Sequence, residues 1–231
     1  MVLNHKKTKC LSFINSRTKD FMPQLKINSC EYLEVIYSLK LVGMIITSDL
    51  TWQAHIMYTV KRVNSVLWQL TRFKNQGAPQ DKLLTFYVLK IRSILMFGSV
   101  CFHSSLSAEL SHKLELQQKR SFAVILGKKY KSYSQACSLL NLPRIDTLRE
   151  KACLKWALKA RANPKHSHLF PLTSSSVNTR HRKKHIESFC SSSKFYNSAV
   201  PYMTRMLNNH IDKNEKIIIT TNSGSSIIID M

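Results

Sequence analysis

The sequence predicts a mainly α fold with a small N-terminal β element, of the α+β class: a helical bundle after a short β-hairpin or sheet. Three observations predict it. The β-prone runs CLSFI, QLKI and LVGMII all fall before Thr47, separated by polar turns and Pro23. From Thr51 onward apolar residues recur at helical spacing. Capping and breaking residues then divide the remainder into helix-length stretches.

Taken in order, Gly43 inside LVGMII predicts a bulge or a close approach of another backbone. Trp52, Ile56, Val60, Val63, Leu67 and Leu70 predict one helix from Thr51 to Asn75 with a single apolar stripe. Lys61 and Arg72 stand about three turns apart on it and share a face. Gly77 is the expected C′ residue and Pro79 opens the next helix, Asp81 to Ile94. A third helix starts from an N-cap at Ser107 and stops at Gly127, and a fourth covers Tyr133 to Leu140. The fifth, Ile145 to Ala162, is expected to turn Leu148, Ala152 and Trp156 inward, with Arg149, Lys151, Lys155 and Lys159 around the rest.

After Asn163-Pro164, TSSSVNTRHRKKHIESFCSSSKF reads as a flexible basic loop. A short helix follows at Val200 to Leu207, and IIITTNSGSSIIID reads as a hairpin or a read-through tail. The expected organisation is therefore a β element over 1–50, a helical bundle over 51–165 and a basic, partly disordered segment over 166–231.

Lys and Arg number 35 against 13 Asp and Glu, an excess that points to a polyanionic partner, because each neutralised phosphate releases condensed counterions. The excess is densest from Gly127 to Lys165, where only Asp146 and Glu150 oppose ten basic residues. Six Cys (10, 30, 101, 137, 153 and 190) contain no CxxC pair, which fits reduced thiols in the cytosol or nucleus. The N-terminal MVLNHKKTK lacks an apolar leader core, and Ser93 to Ala108 falls short of the roughly 20 residues a membrane span needs, so no membrane partner is expected.

Two-metal catalysis needs clustered carboxylates, and here no two acidic residues are adjacent. His210-Ile211-Asp212 matches the HxD start of an iron-binding triad, but no His follows it, so a solvated helix end is the preferred reading. His181, His185 and Cys190 offer H-x3-H-x4-C without a fourth ligand, and a basic loop facing nucleic acid is favoured over zinc. There is no GxSxG elbow and no Gly-rich phosphate loop. Trp52 and Trp156 read as core, and Tyr130 and Tyr133, close to lysines, are the aromatics best placed to stack on bases.

Read together, KLVGMIITSDLTWQAHI (Lys40 to Ile56) and LNHKKTK (Leu3 to Lys9) resemble reverse transcriptases of non-LTR retrotransposons of the jockey type. In that family YLG, LTW-x-x-HI and LN-x-x-KT patterns follow the catalytic strand. LWQLTRFKNQGAP, ELQQKRSFAVILG, YSQACSLLNLPRIDTLREKACLKWALK, NPKHSHLFP and FYNSAVPYMTRMLN resemble its later segments in the same order. The resemblance covers Leu3 to Asn208 and rests on collinearity.

It implies a fragment of an RNA-directed DNA polymerase, since the family's palm Asp motifs lie upstream of LN-x-x-KT. No catalytic residue is expected, and no cofactor, because those Asp residues hold the Mg of an intact enzyme. The implied parts are a primer-grip hairpin over Leu39 to Ile45, with Leu41, Val42 and Gly43 where the family more often has Tyr-Leu-Gly, and then a thumb. Implied partners are RNA or DNA, held nonspecifically, and the palm and fingers of the parent enzyme. The expected backbone-binding residues are Lys61, Arg62, Arg72, Lys119, Arg120, Lys128, Lys129, Lys155 and Lys159. The alternative is a structural or protein-interaction module without a nucleic-acid role. The LTW-x-x-H segment is also similar to an N-terminal region attributed to an AlkB-type dioxygenase or methyltransferase, a likeness read as borrowed from retroelement sequence because the HxD triad is incomplete.

Overall fold

The computed structural model describes residues 8–13, 25–27, 31–172 and 184–222. It is mainly helical with a small N-terminal β element, as the pattern of the sequence requires. By contacts the chain divides into two compact units that interleave in sequence: Met1–Gly98 with Leu106–Ile145, and Ser99–Ser105 with Asp146–Met231.

In the first unit β1 (Cys10–Leu11) pairs in parallel with β4 (Val35–Ile36), and β2 (Lys26–Ile27) pairs antiparallel with β3 (Glu31–Tyr32). The longest pairing is an antiparallel hairpin of β5 (Ser38–Leu41) and β6 (Met44–Thr47), in register Leu41 with Met44. LVGMII is thus no single bulged strand. Val42 and Gly43 form the tip of the hairpin, both with positive φ (47° and 83°), as a two-residue type I′ turn demands. The glycine accepts that geometry freely; the β-branched Val42 does so at a steric cost. Gly43 does lie under a close neighbour, but it is the ring of Phe97 and not another backbone, 3.2 Å from where a Cβ would stand.

Between the hairpin and the first long helix, Asp49 accepts hydrogen bonds from the Thr47 hydroxyl (2.6 Å) and the Thr51 N–H (3.0 Å). Helix α1 then runs Gln53–Asn75. Ile56, Val63 and Leu70 are fully buried, with Trp52, Val60 and Leu67 half-buried beside them. The stripe is wider than its apolar residues suggest, because His55 and Thr59 are buried too. Gly77 (φ 81°) closes the helix: its N–H donates to the Lys74 carbonyl and that of Ala78 to the Phe73 carbonyl, the paired bonds of a Schellman motif.

Pro79 caps α2 (Gln80–Phe86), which continues through a π-helical stretch, Tyr87–Arg92, into α3 (Ser93–Met96). Leu83, Tyr87, Ile91 and Leu95 are buried at spacings of four, a stripe that packs toward α1 and toward the later helix over Ala108–Leu126. The helical run Gln80–Ser105 is longer than the sequence suggested. Among the described residues it is the one run long and apolar enough, by length and composition alone, to cross a membrane. Helix α5 (Ala108–Leu126) begins at Ser107, whose side chain accepts the Leu110 N–H at 3.2 Å, and ends at Gly127 (φ 54°). Helix α6 (Tyr133–Leu139) covers one end of α5, and the three long runs enclose a core of Ile56, Val63, Leu70, Tyr87, Ile91, Leu114, Phe122 and Ile125.

The second unit holds α4 (Ser99–Phe102), α7 (Ile145–Ala162, from Asp146 on), α8 (Ser193–Tyr196) and α9 (Ala199–Asn222). Cys153, Ala157, Ala160, Phe170, Met203 and Leu207 form its core. Two expectations are corrected here. The buried line of α7 is Ile145, Arg149, Cys153 and Ala157, one position round from the expected Leu148, Ala152 and Trp156, because Arg149 goes inside with no exposed surface. The short helix at Val200 to Leu207 is the start of α9, which continues to Asn222, so the first isoleucine run of IIITTNSGSSIIID is helical. The rest of that tail, residues 173–183 of the basic loop and most of LNHKKTK lie outside the described residues.

Candidate nucleic-acid interface

From Leu50 to Gln80 the chain has no Asp or Glu, so α1 carries Lys61, Arg62, Arg72 and Lys74 with no carboxylate of its own. A helix normally balances such cations with acidic residues three or four positions away. Here Lys61, Arg62 and Arg72 are exposed and the inward stripe is already filled by Ile56, Val63 and Leu70. Lys61, Ser65, Trp68 and Arg72 fall at steps of four, three and four, which places them in one line along the outer face.

Aromatic rings interleave with these cations. Trp68 is 61% exposed, with the Arg72 guanidinium 4.8 Å from its ring centroid. Nearer the hairpin, the Tyr58 ring has the Lys40 ammonium at 4.7 Å and the Arg62 guanidinium at 5.7 Å from its centroid, and Lys40 Nζ also donates to the Tyr58 hydroxyl at 3.1 Å. The hairpin and helix are tied by the Ile45 N–H, which donates to Nδ1 of the buried His55 at 3.4 Å. Burial, and secondarily the Arg62 charge, hold His55 below its ordinary pKa, so the ring stays neutral and Nδ1 can accept.

At the other end of α1, Lys74 Nζ donates to the Ile125 carbonyl at 3.3 Å, and its stem lies 4.0 Å from the Cβ position of Gly127. The final turn of α1 therefore meets the turn that carries the exposed Lys128 and Lys129. Seven of the nine expected backbone-binding residues belong to this first unit, on α1, on α5 and in that turn; Arg120 is exposed, and Lys119 is half-buried with Nζ 5.2 Å from the Tyr133 centroid. Lys155 and Lys159, exposed on α7, belong to the second unit and form with Lys151 a basic line of their own.

Tyr133 is not the exposed stacking ring expected. Its hydroxyl donates to Glu115, which is buried, and faces the Gln118 side-chain oxygen at 2.7 Å; burial, then the bond to Glu115, push its pKa up. Tyr130 is half-buried. Trp68 and Tyr58 were the aromatics to find, and the signal was present as Arg72 four residues after Trp68 and Arg62 four after Tyr58.

In the second unit Arg149 Nε donates to His103 Nδ1 at 3.4 Å, and His103 Nε2 lies 3.4 Å from the Tyr202 hydroxyl. Since Nδ1 accepts, the neutral ring carries its proton on Nε2 and donates it to Tyr202. Burial first, then the Arg149 charge, lower the pKa of His103 to about 4, with Asp146 opposing. Of the zinc-type set, His181 lies outside the described residues, His185 is buried with Nδ1–H donating to the Phe170 carbonyl at 2.8 Å, and Cys190 Sγ donates to the Ser188 carbonyl at 3.2 Å. The backbone at His210–Asp212 is helical, and positions two apart on a helix do not face each other. Among the described residues no group of three or more His, Cys, Asp or Glu could hold a metal ion.

Comparison with protein-family models, with curated proteins and with solved structures found no match to this chain.

Proposed function

We propose that this chain is the thumb-type portion of a non-LTR reverse transcriptase, which holds a nucleic-acid backbone and does not polymerise by itself. The observation that carries the binding half of this reading is α1: a 23-residue helix without a carboxylate, its cations turned outward beside the exposed Trp68 ring. Its setting supports the other half, because a hairpin over Ser38–Thr47 leading directly into a long basic helix is the order that the sequence resemblance implies. Leu41, Val42 and Gly43 then stand at the tip of the primer-grip element.

Purified chain binds RNA or DNA with an affinity that falls steeply as salt rises. Failure to bind either at low salt would remove the proposal. A primer-extension assay on the same preparation yields no incorporation, and extension by this chain alone would overturn the non-catalytic part.

A second reading, a module that packs against a protein partner, is favoured by apolar side chains exposed around the hairpin: Tyr37, Leu41, Val42, Leu50 and Met57. Size-exclusion chromatography separates the two. Self-association that RNA does not alter supports the packing module, and a shift on adding RNA supports the nucleic-acid reading.

A further inference from the structure

We infer that the outer face of α1 reads unpaired bases, with Trp68 as the stacking platform, so that the ligand class is single-stranded nucleic acid. This rests on the nucleic-acid reading above and specifies the strand form it takes.

Backbone attraction alone does not distinguish one strand from two, since cations meet phosphates in both. The rings do distinguish them. The face of an internal base in a duplex is covered by its neighbours, whereas an unpaired base offers that face to any exposed aromatic side chain. Arg72 covers one face of Trp68, and 61% exposure leaves the rest of the side chain to solvent. The guanidinium also fixes the ring, which lowers the ordering cost when a base arrives.

Tyr58, half-buried with Lys40 and Arg62 both against its ring, holds two further cations near the hairpin end of the helix rather than a second stacking face. Lys61 lies about two turns before Trp68 on the same exposed face, and no carboxylate on the helix repels the phosphates in passing.

The test measures fluorescence anisotropy of a labelled oligothymidylate of about 20 nucleotides, and of a labelled duplex of the same length, at roughly 50 mM salt with the full chain. The expected result is tighter binding of the single strand. Trp68→Ala should lose about five-fold or more on the strand and under about two-fold on the duplex, with Trp68→Phe retaining most of the strand affinity. The side chain is exposed, and circular dichroism of each variant confirms an unchanged fold.

Equal binding of strand and duplex, with Trp68→Ala altering neither, would overturn the stacking inference and leave the backbone reading standing. Binding to neither oligonucleotide would overturn both. Binding confined to phosphatidylserine vesicles would also overturn both, and would assign the basic face to a lipid surface.

Discussion

Replacing Lys61, Arg62 and Arg72 together by Gln removes three exposed cations from one helix face while leaving the buried stripe of Ile56, Val63 and Leu70 untouched. If each of the three neutralises a phosphate of a single strand, the slope of log affinity against log salt becomes shallower by about 2, at about 0.7 per phosphate. Between roughly 50 and 200 mM salt the wild type should then lose about 20-fold more affinity than the triple variant. The assay is a salt titration of oligouridylate binding. A control triple, Lys82, Lys90 and Lys165→Gln, lowers the net charge equally at exposed positions outside the α1 face. Its slope should stay near that of the wild type. An unchanged slope in the α1 triple, or an equal change in both, would show that total charge and not this face governs binding.

Three further outcomes follow from the geometry. Val42→Asn should raise stability by about 1 kcal/mol, since Asn tolerates positive φ better than a β-branched residue; a thermal midpoint at or below the wild type's would refute the strained-turn account. Gly77→Ala should cost about 1 kcal/mol from backbone strain alone, because φ is 81° and a Cβ there meets nothing within 4 Å; no loss in urea denaturation would contradict it. For His103, whose pKa is lowered from 6.5 to about 4, the folded state binds fewer protons than the unfolded one between those values, so its contribution is complete above pH 6.5, falls as pH drops through the window and levels off below it. The opening equilibrium of the first turns of α9, where Tyr202 meets His103, obtained from hydrogen exchange after dividing by the intrinsic rate, should rise as pH falls through that window and vary less in His103→Gln; a wild-type profile identical to the variant's would sink this reading.

Features fixed by local chemistry were legible in the sequence. Ser107, Gly77 and Gly127 set helix ends through bonds to residues three to five positions away, and Ile145 to Ala162 matches α7 to the residue. Features set by tertiary context were not. A hairpin or sheet was expected there, but the position of its turn was not legible from the residues, because Val42-Gly43 lacks the Asn-Gly or Asp-Gly signature. The inward face of α7 was displaced because Arg149, counted as a surface cation, buries its stem and finds His103. Of the candidate interface, the cations of α1 were legible from spacing, whereas Trp68 was not singled out. Its exposure follows from the inward stripe being complete without it: Ile56, Val63 and Leu70 already fill the side facing α5.

The claim that matters most is that nucleic acid lies along the face of α1. Photocrosslinking of the full chain to a 4-thiouridine oligonucleotide at low salt, followed by peptide mapping, tests it most directly. Adducts should fall on peptides spanning Lys40 to Arg72, with Trp68 as the modified ring. Adducts confined to α7 and the second unit, with every α1 peptide recovered unmodified, would contradict it.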